Sequence, residues 1–244
     1  MKFFVGLPEP SMARHFAQSF ISITRLRRRK SDFVASEWIM DSGAFSELAT
    51  HGYYRTDVPD YAQEINRWAN CGNMLIAVSQ DFMCEPWIVQ KTGLSVREHQ
   101  IRTVQRYLAL LACTPHNVMP VLQGYHPTDY VRHLDDYGAM LRPGAWVGVG
   151  SVCKRNTSPS SIEDILGAIK RVRPDLRLHG FGLKVTALQC SAICDLLHSA
   201  DSMAWSFAAR KQGRNANDWR EAASFVRDIA SRPKHQSLGL NLFS

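Results

Sequence analysis

The sequence predicts an α/β protein of the TIM (β/α)8 type, in which helices surround a barrel of parallel strands. Short apolar runs alternate with longer amphipathic segments along most of the 244 residues, and repeated βα units have this pattern. Several apolar runs end in polar residues or glycine, as strands do at the catalytic face of a barrel. An open doubly wound sheet also binds its ligand at strand ends and is the alternative fold.

Each predicted element follows from its periodicity and its flanking residues. The candidate strands are residues 3–7, 38–40, 74–79, 118–122, 146–149, 176–181 and 202–205. The candidate helices are residues 61–69, 96–111, 128–140, 162–172, 187–197 and 218–229. Residues 12–23 have an amphipathic pattern, and an eighth strand is not apparent. We therefore expect a compact or slightly irregular barrel that forms a single domain over residues 1–244.

The chain is basic. It has 29 Lys and Arg against 22 Asp and Glu, a formal net charge of +7, which favours a polyanionic partner. Ordinary solubilising charge is the alternative. The basic residues are most concentrated where a phosphate backbone could bind, at Arg25, Arg27, Arg28, Arg29 and Lys30. A solvated helix end would have the same composition.

Six cysteines are scattered without a disulfide framework, and neither a signal peptide nor a membrane span is visible. We therefore expect reduced thiols, a cytoplasmic protein and no membrane partner. Cys190, Cys194 and His198 recur every four residues and could share a helical face. They lack a close Cys pair and an obvious fourth ligand, so buried helix cysteines explain them better than zinc. We expect no bound metal.

Two aspartate motifs lie far apart in the chain, each next to an apolar run. Asp41 is followed by Ser42 and Gly43, which allow a tight turn and exposed backbone amides. A helix N-cap is the alternative role for Asp41. Phe45 could present an aromatic face to a planar ligand, although a core position is more usual for such a residue.

The second motif begins at Asp201. A carboxylate at this point could attack the anomeric carbon of a sugar, because it can form a covalent intermediate and still leave in a second step. An ion pair with Arg210 or a turn cap is the structural alternative.

Between these motifs, further strand ends carry groups suited to a purine. Asp81 can accept two hydrogen bonds from a donor edge such as guanine N1–H and N2–H, and helix capping is the alternative. Gln123 offers both a donor and an acceptor for the other edge and is followed by Gly124. Gly148 and Gly150 would let backbone approach a ligand closely.

Taken in order, these motifs resemble the tRNA-guanine transglycosylase superfamily, which exchanges guanine for a 7-deazaguanine on a TIM barrel. Residues 41–45 resemble its Asp-Ser-Gly-Gly-aromatic motif, with Ala44 replacing the second glycine. The resemblance implies a general base at Asp41 and an aromatic that stacks on the base at Phe45. It implies guanine recognition by Asp81, by the Gln123-Gly124 segment and by the loop at Gly150. Residues 201–205 resemble its nucleophile motif, with Asp201 as nucleophile.

The departures from that superfamily narrow the expectation. No cysteine follows Asp201, so the zinc-binding subdomain that helps tRNA enzymes grip their substrate is missing. A short, basic, zinc-free chain looks most like the DpdA-type enzymes, which insert 7-deazaguanines into DNA. The resemblance implies a DNA-guanine transglycosylase that inserts a 7-deazaguanine base such as preQ0 through a glycosyl-aspartate, in chemistry related to queuosine formation. It implies no cofactor, because one glycosidic bond replaces a similar one.

Several alternatives remain open at this stage. A minimal tRNA-guanine transglycosylase would use tRNA instead of DNA, and an inactive barrel would only bind nucleic acid. A nucleoside hydrolase or glycosidase would use water as acceptor. Arg210 joins the basic cluster as a candidate nucleic-acid contact, and accessory proteins or a homodimer are further candidate partners.

Overall fold

A computed structural model describes residues 1–153 and 159–231. Within these residues one sheet of nine parallel strands forms a nearly closed barrel with helices around it, which confirms the predicted TIM-like fold class. The strands are β1 (Lys2–Gly6), β2 (Gln18–Ser22), β3 (Glu37–Asp41), β4 (Asn73–Val78), β5 (Val118–Met119), β6 (Val121–Leu122), β7 (Trp146–Val149), β8 (Arg177–Gly180) and β9 (Ser199–Ser202).

The barrel closes through one stretch of chain that forms both ends of the strand order β5-β4-β3-β2-β1-β9-β8-β7-β6. Only Pro120 separates β5, which pairs with β4, from β6, which pairs with β7. Proline has no N–H to give to a strand ladder, but the Pro120 carbonyl still accepts a 2.9 Å hydrogen bond from the Gly148 amide. A single predicted strand, residues 118–122, therefore appears as two strands that join the two edges of the sheet.

The strand missing from the sequence prediction is β2. It lies between β1 and β3 and pairs in parallel with both, in a region where the sequence indicates an amphipathic segment over residues 12–23. Polar residues flank Phe20 and Ile21 in this strand, so it lacks the continuous apolar run that marks the other strands. The prediction for the last strand was displaced: β9 ends at Ser202, and residues 203–205 already lead into a helix.

The helices include several short segments that the sequence pattern did not predict. They are α1 (Ile23–Leu26), α2 (Ala44–His51), α3 (Val58–Trp68), α4 (Pro86–Thr92), α5 (Val96–Cys113), α6 (Pro127–Tyr137), α7 (Pro159–Val172), α8 (Val185–Leu188), α9 (Ser191–Leu196), α10 (Ala204–Lys211) and α11 (Trp219–Ser231), with 3-10 turns at Pro10–His15 and Gly138–Met140. The predicted helix 187–197 is wrong as a continuous element, because it is interrupted between α8 and α9. None of the described helices is long and apolar enough to cross a membrane.

Two apolar layers support the barrel. The larger layer joins outward-facing strand residues such as Val5, Trp38 and Ala77 to the surrounding helices. A smaller cluster of alternate strand residues fills the interior: Phe4, Ile39, Ile76, Val78, Met119 and Val121, with Phe20, Trp146 and Phe181 packed against it. Because side chains alternate between faces along a strand, these two sets line opposite faces. The filled interior forms a floor beneath the carboxyl ends of the strands.

Candidate active site

The three candidate aspartates lie at the carboxyl end of the barrel. Asp41 ends β3, Asp81 follows β4 by three residues, and Asp201 is on β9 near its end. The carboxylates share one electrostatic environment, because the charge of Asp201 acts on Asp41 and the charge of Asp41 acts on Asp81. The structure thus brings together side chains that are up to 160 residues apart in the chain, since Asp41 and Asp201 differ by that number in sequence.

A tight turn holds the Asp41 carboxylate. The Gly43 amide donates a 3.1 Å hydrogen bond to Asp41 Oδ2, and Gly43 has a φ of +75°, in the left-handed region. A side chain at Gly43 would also meet Thr24 at 2.8 Å. Burial is the main reason that the pKa of Asp41 is raised to about 6; the charge of Asp201 raises it further, against hydrogen bonds from Ser22 and Gly43. Asp41 can therefore hold or release a proton near neutral pH.

Asp81 and Gln123 contact each other in a buried position. Gln123 Nε2 donates a hydrogen bond to Asp81 Oδ2, and Tyr54 fixes the loop by donating its hydroxyl to the Asp81 carbonyl at 2.7 Å. Burial raises the pKa of Asp81 to about 7; the Gln123 hydrogen bond lowers it, and the charge of Asp41 raises it. Asp81 and Gln123, which the family resemblance assigns to guanine recognition, are thus adjacent, and each is a hydrogen-bond partner of the other.

The opposite end of the Gln123 amide faces Ser151. Ser151 Oγ lies 2.8 Å from Gln123 Oε1, 2.9 Å from Glu85 Oε2 and accepts the Cys84 amide at 2.9 Å. Ser151 adopts a φ of +55°, which is uncommon for a residue other than glycine. An amide nitrogen toward Asp81 and an amide oxygen toward Ser151 is the only orientation that gives a carboxylate a donor. The Asp81 carboxylate thereby sets the direction of the Gln123 amide, and the Ser151 hydroxyl, which can donate or accept, fits that direction.

Gly150 makes room for that side chain. A Cβ built at Gly150 would lie 2.0 Å from Gln123 Nε2, a distance that no non-bonded pair of heavy atoms can occupy. Gly124 has a comparable packing reason, because a Cβ there would lie 2.6 Å from the Asp129 side chain on α6. The structure therefore gives both glycines a role in packing, while their contact with a ligand stays a prediction.

The two carboxylate oxygens of Asp201 differ in their hydrogen bonding. Asp201 Oδ1 accepts a 2.9 Å hydrogen bond from the Gly182 amide and lies 3.3 Å from His179 Nε2. No hydrogen bond among the described residues engages Asp201 Oδ2. Among the described residues, the alternative ion pair between Asp201 and Arg210 is not found: Arg210 is exposed on α10, and the side chain next to the Asp201 carboxylate is His179. A carboxylate fixed through one oxygen and open at the other is suited to nucleophilic attack.

A chain of donors orients His179, a residue to which the sequence analysis gave no role. Trp146 Nε1 donates to Ser199 Oγ at 2.8 Å, and Ser199 Oγ lies 2.9 Å from His179 Nδ1. Because the Trp146 indole can only donate, the Ser199 hydroxyl is free to donate to Nδ1, and the tautomer that accepts this bond carries its proton on Nε2, facing Asp201. His179 is fully buried and stacks on Phe20 with ring centroids 5.6 Å apart. The sequence signal was its place in the polar strand end 179–182.

Phe45 lies at the rim and not in the core. Its exposed fraction is 46% and that of Trp87 is 40%, and their rings meet edge to face with centroids 6.1 Å apart. Phe45 follows the Asp41 turn and Trp87 follows the Asp81 loop, so the aromatic pair borders both. Ser42, between Asp41 and Gly43, is buried.

The basic cluster divides into two parts. Arg25, Arg27 and Arg28 follow β2 and therefore lie at the catalytic end. Arg29 instead donates to the carbonyls of Ser31 and Asp32 at 2.7 and 3.0 Å, and this use stabilises the loop before β3. Lys30 is exposed next to it.

No group of three or more His, Cys, Asp or Glu side chains in the described part of the chain is arranged to hold a metal ion. Cys190 is the N-cap residue of α9, which carries Cys194, whereas His198 lies beyond the end of that helix. The three residues therefore do not share one helical face.

Comparison with known proteins gives one family match. The model of a family described as DpdA, DeoxyPurine in DNA protein A, matches residues 1–231. A search of curated proteins found no match.

Proposed function

We propose that this chain, which belongs to the DpdA family, deoxypurine in DNA protein A, is a transglycosylase that exchanges a guanine in DNA for a 7-deazaguanine base. The observation that carries the proposal is the state of Asp201: its Oδ1 is held by Gly182 and His179, its Oδ2 receives no hydrogen bond from the described residues, and its charge acts on a second carboxylate, that of Asp41. Base exchange requires a nucleophile and an acid–base group that reach the same nucleotide.

The first half of the reaction removes guanine. A target nucleotide turned out of the helix, at an expense of a few kcal/mol, presents C1′ to Asp201 Oδ2. The bond from Oδ2 to C1′ forms as the C1′–N9 bond breaks, and the electron pair of that bond leaves with guanine. Asp41 gives its proton to the leaving base. The product is a glycosyl-aspartate and a free guanine.

The second half reverses these roles with a new base. Asp41, now a carboxylate, takes the proton from the ring nitrogen of an incoming 7-deazaguanine such as preQ0, and that nitrogen attacks C1′ and displaces Asp201. Two inversions retain the anomeric configuration. A pKa of about 6 for Asp41 suits a group that must hold the proton in one half and release it in the other.

The charge of Asp201 helps Asp41 to change roles. It raises the pKa of Asp41 in the free protein, and this contribution disappears once Asp201 is esterified. Asp41 therefore becomes more acidic in the covalent intermediate. Guanine has by then left with the proton, so Asp41 remains a carboxylate until it acts as the base.

Asp81 and Gln123 recognise the exchanged base. Asp81 offers two acceptor oxygens for a guanine-like N1–H and N2–H edge, and Gln123 offers an amide to the other edge. Both must exchange their mutual hydrogen bond for bonds to the base, which penalises a base that lacks those groups. Phe45 stacks on the base at the rim, and His179 acts as a positioning residue through Asp201.

The direct test uses purified protein, duplex DNA and labelled preQ0. We expect label to enter DNA with the unaltered chain and not with Asp201→Ala. Label in tRNA and not in DNA would identify a minimal tRNA-guanine transglycosylase and overturn the choice of DNA. Guanine release without incorporation would identify a hydrolase, and DNA binding with neither outcome would identify an inactive barrel that binds nucleic acid.

A further inference from the structure

Four arginines line a cavity of about 380 Å³ at the catalytic end of the barrel: Arg25, Arg27, Arg28 and Arg55, with Pro8, Glu9 and Thr24. The lining residues follow β1, β2 and α2, so three consecutive βα loops converge on it. Arg25 and Arg28 are exposed, and no carboxylate of the described residues lies within ion-pair distance of either.

The cavity adjoins the Asp41 turn. Thr24, in its wall, lies 2.8 Å from the point where a Gly43 Cβ would stand, and the Gly43 amide donates to Asp41. Thr24 Oγ1 also lies 3.0 Å from the hydroxyl of Ser22, the residue that pairs in register with Asp41. Thr24 therefore lies between the cavity and the turn that holds the Asp41 carboxylate.

A buried glutamate holds the other two arginines in place. Glu47 is 1% exposed and contacts Arg27 Nη1 at 2.7 Å and Arg55 Nη2 at 3.2 Å. It also accepts the Arg55 Nε and backbone N–H groups at 3.2 Å each. Burial opposes the ionisation of Glu47, but hydrogen bonds from Arg55 and Arg27 outweigh it and lower its pKa to about 2. Arg27 Nη2 is buried without an acceptor among the described residues.

The charge balance of the cavity favours a bound anion. Four guanidinium groups face two carboxylates, those of Glu47 and Glu9, which leaves two positive charges in excess. Guanidinium groups match the oxygens of a phosphate with paired hydrogen bonds, and phosphate contacts set the register of a nucleic acid without reading its sequence.

We propose that this cavity binds a phosphodiester of the substrate strand next to the exchanged nucleotide, with Arg25 and Arg28 as the direct contacts and the Glu47 pair as their support. This inference rests on the proposed function for the identity of the strand. The bound phosphate would fix the sugar between Asp201 and Asp41, and the same contacts would serve every target sequence.

The test measures DNA binding by Asp201→Asn protein, so that no base is exchanged. The probe is a dT oligonucleotide with a single dG, and affinity is measured against salt concentration with and without the further change of Arg25 and Arg28 to Ala. If the protein neutralises one phosphate fewer, the slope of log affinity against log salt concentration should become shallower by about 0.7 on a single strand. We expect the double variant to neutralise about one to two fewer phosphates and to bind at least about tenfold more weakly. Arg171→Ala is the matched control, because Arg171 is an exposed arginine in the last turn of α7 at the opposite end.

A second probe locates the phosphate. Neutral methylphosphonate linkages beside the dG should weaken binding by Asp201→Asn protein and leave the protein that also lacks Arg25 and Arg28 unaffected. An unchanged salt slope in the double variant, or equal weakening of both proteins by the neutral linkage, would refute the cavity. If the unaltered protein exchanges bases but binding does not depend on Arg25, Arg28 and the phosphate beside the dG, only the phosphate-binding role of the cavity is refuted. If binding shows this dependence but the unaltered protein exchanges no base, only the proposed function is refuted.

Discussion

His179 Nε2 lies 3.3 Å from Asp201 Oδ1, and the imidazole is held in that direction by Ser199 and Trp146. The Gly182 amide binds the same oxygen, and no hydrogen bond from the described residues engages Oδ2. For the proposed nucleophile this orientation is a form of preorganisation, which accounts for a large share of many enzymatic rate enhancements.

Loss of the His179 donor should reduce the chemical step. In His179→Leu the side chain keeps its apolar contacts, and we expect kcat to fall about 10²-fold to 10³-fold, because Asp201 can then rotate. The KM for the free base should stay within about threefold, since His179 contacts no base. His179→Gln places an amide nitrogen near the former Nε2 and should restore most of kcat. Steady-state kinetics of both variants check this, and equal losses in both would mean that His179 only supports the fold.

The two half-reactions should depend on pH in opposite directions. Guanine release needs protonated Asp41 and should fall as the pH rises above about 6, whereas base incorporation needs the carboxylate and should fall at low pH. Because esterified Asp201 no longer raises the pKa of Asp41, the midpoint pH of the incorporation profile should be lower than the midpoint pH of the release profile. Single-turnover rates of each half from pH 4.5 to 8.5 test this. Coincident midpoints would show that the charge of Asp201 does not reach Asp41.

Gly150→Ala should displace Gln123. Its Cβ would overlap Gln123 Nε2 at 2.0 Å, and we expect a loss of about 1–3 kcal/mol in unfolding free energy together with a higher KM for the base. Gly167→Ala is the matched control, since a Cβ there meets only the Arg171 guanidinium, at 3.5 Å.

A double-mutant cycle isolates the cause. In a Gln123→Ala background the clash is gone, so Gly150→Ala should change stability little. Denaturant unfolding of the four proteins gives the coupling energy. Additive effects would place the strain at another neighbour of Gly150.

Asp81→Asn should stabilise the fold at alkaline pH while it weakens base binding. Burial raises the pKa of Asp81 to about 7, so the folded state binds more protons than the unfolded state between about pH 4 and pH 7, and Asp81 makes stability fall as the pH rises through that range. Asparagine removes this loss and can still accept from Gln123. We expect a gain of about 1–3 kcal/mol at pH 8 and almost none at pH 4.5. The same gain at both values would mean that the Asp81 charge is not the cause.

Much of the barrel was predictable because most of its strands are apolar runs that end in polar residues. The pattern failed at β2, where Gln18, Ser19 and Ser22 interrupt the run, and at β9, whose polar Ser199 and Asp201 face partners from other strands. A strand whose polar groups are satisfied across the barrel carries no apolar signature. The sequence pattern also did not indicate that the barrel closes at Pro120, between β5 and β6.

The positions of the candidate site residues at strand ends were predictable, but the contacts between these residues were not. Asp41 and Asp201 are recognisable from their turns, whereas the Trp146–Ser199–His179 chain depends on three strands in register. Arg55 is far from the basic cluster in sequence and joins it only through Glu47. Contacts of this kind arise from tertiary packing and have no local sequence pattern.

The most direct measurement is a denaturing gel of protein incubated with end-labelled DNA in the absence of any free base, followed by mapping of the labelled peptide. We expect a covalent protein–DNA adduct attached at Asp201, absent in Asp201→Asn and discharged by preQ0. No adduct from the unaltered protein under conditions where it exchanges bases, or an adduct that persists in Asp201→Asn, would contradict this expectation.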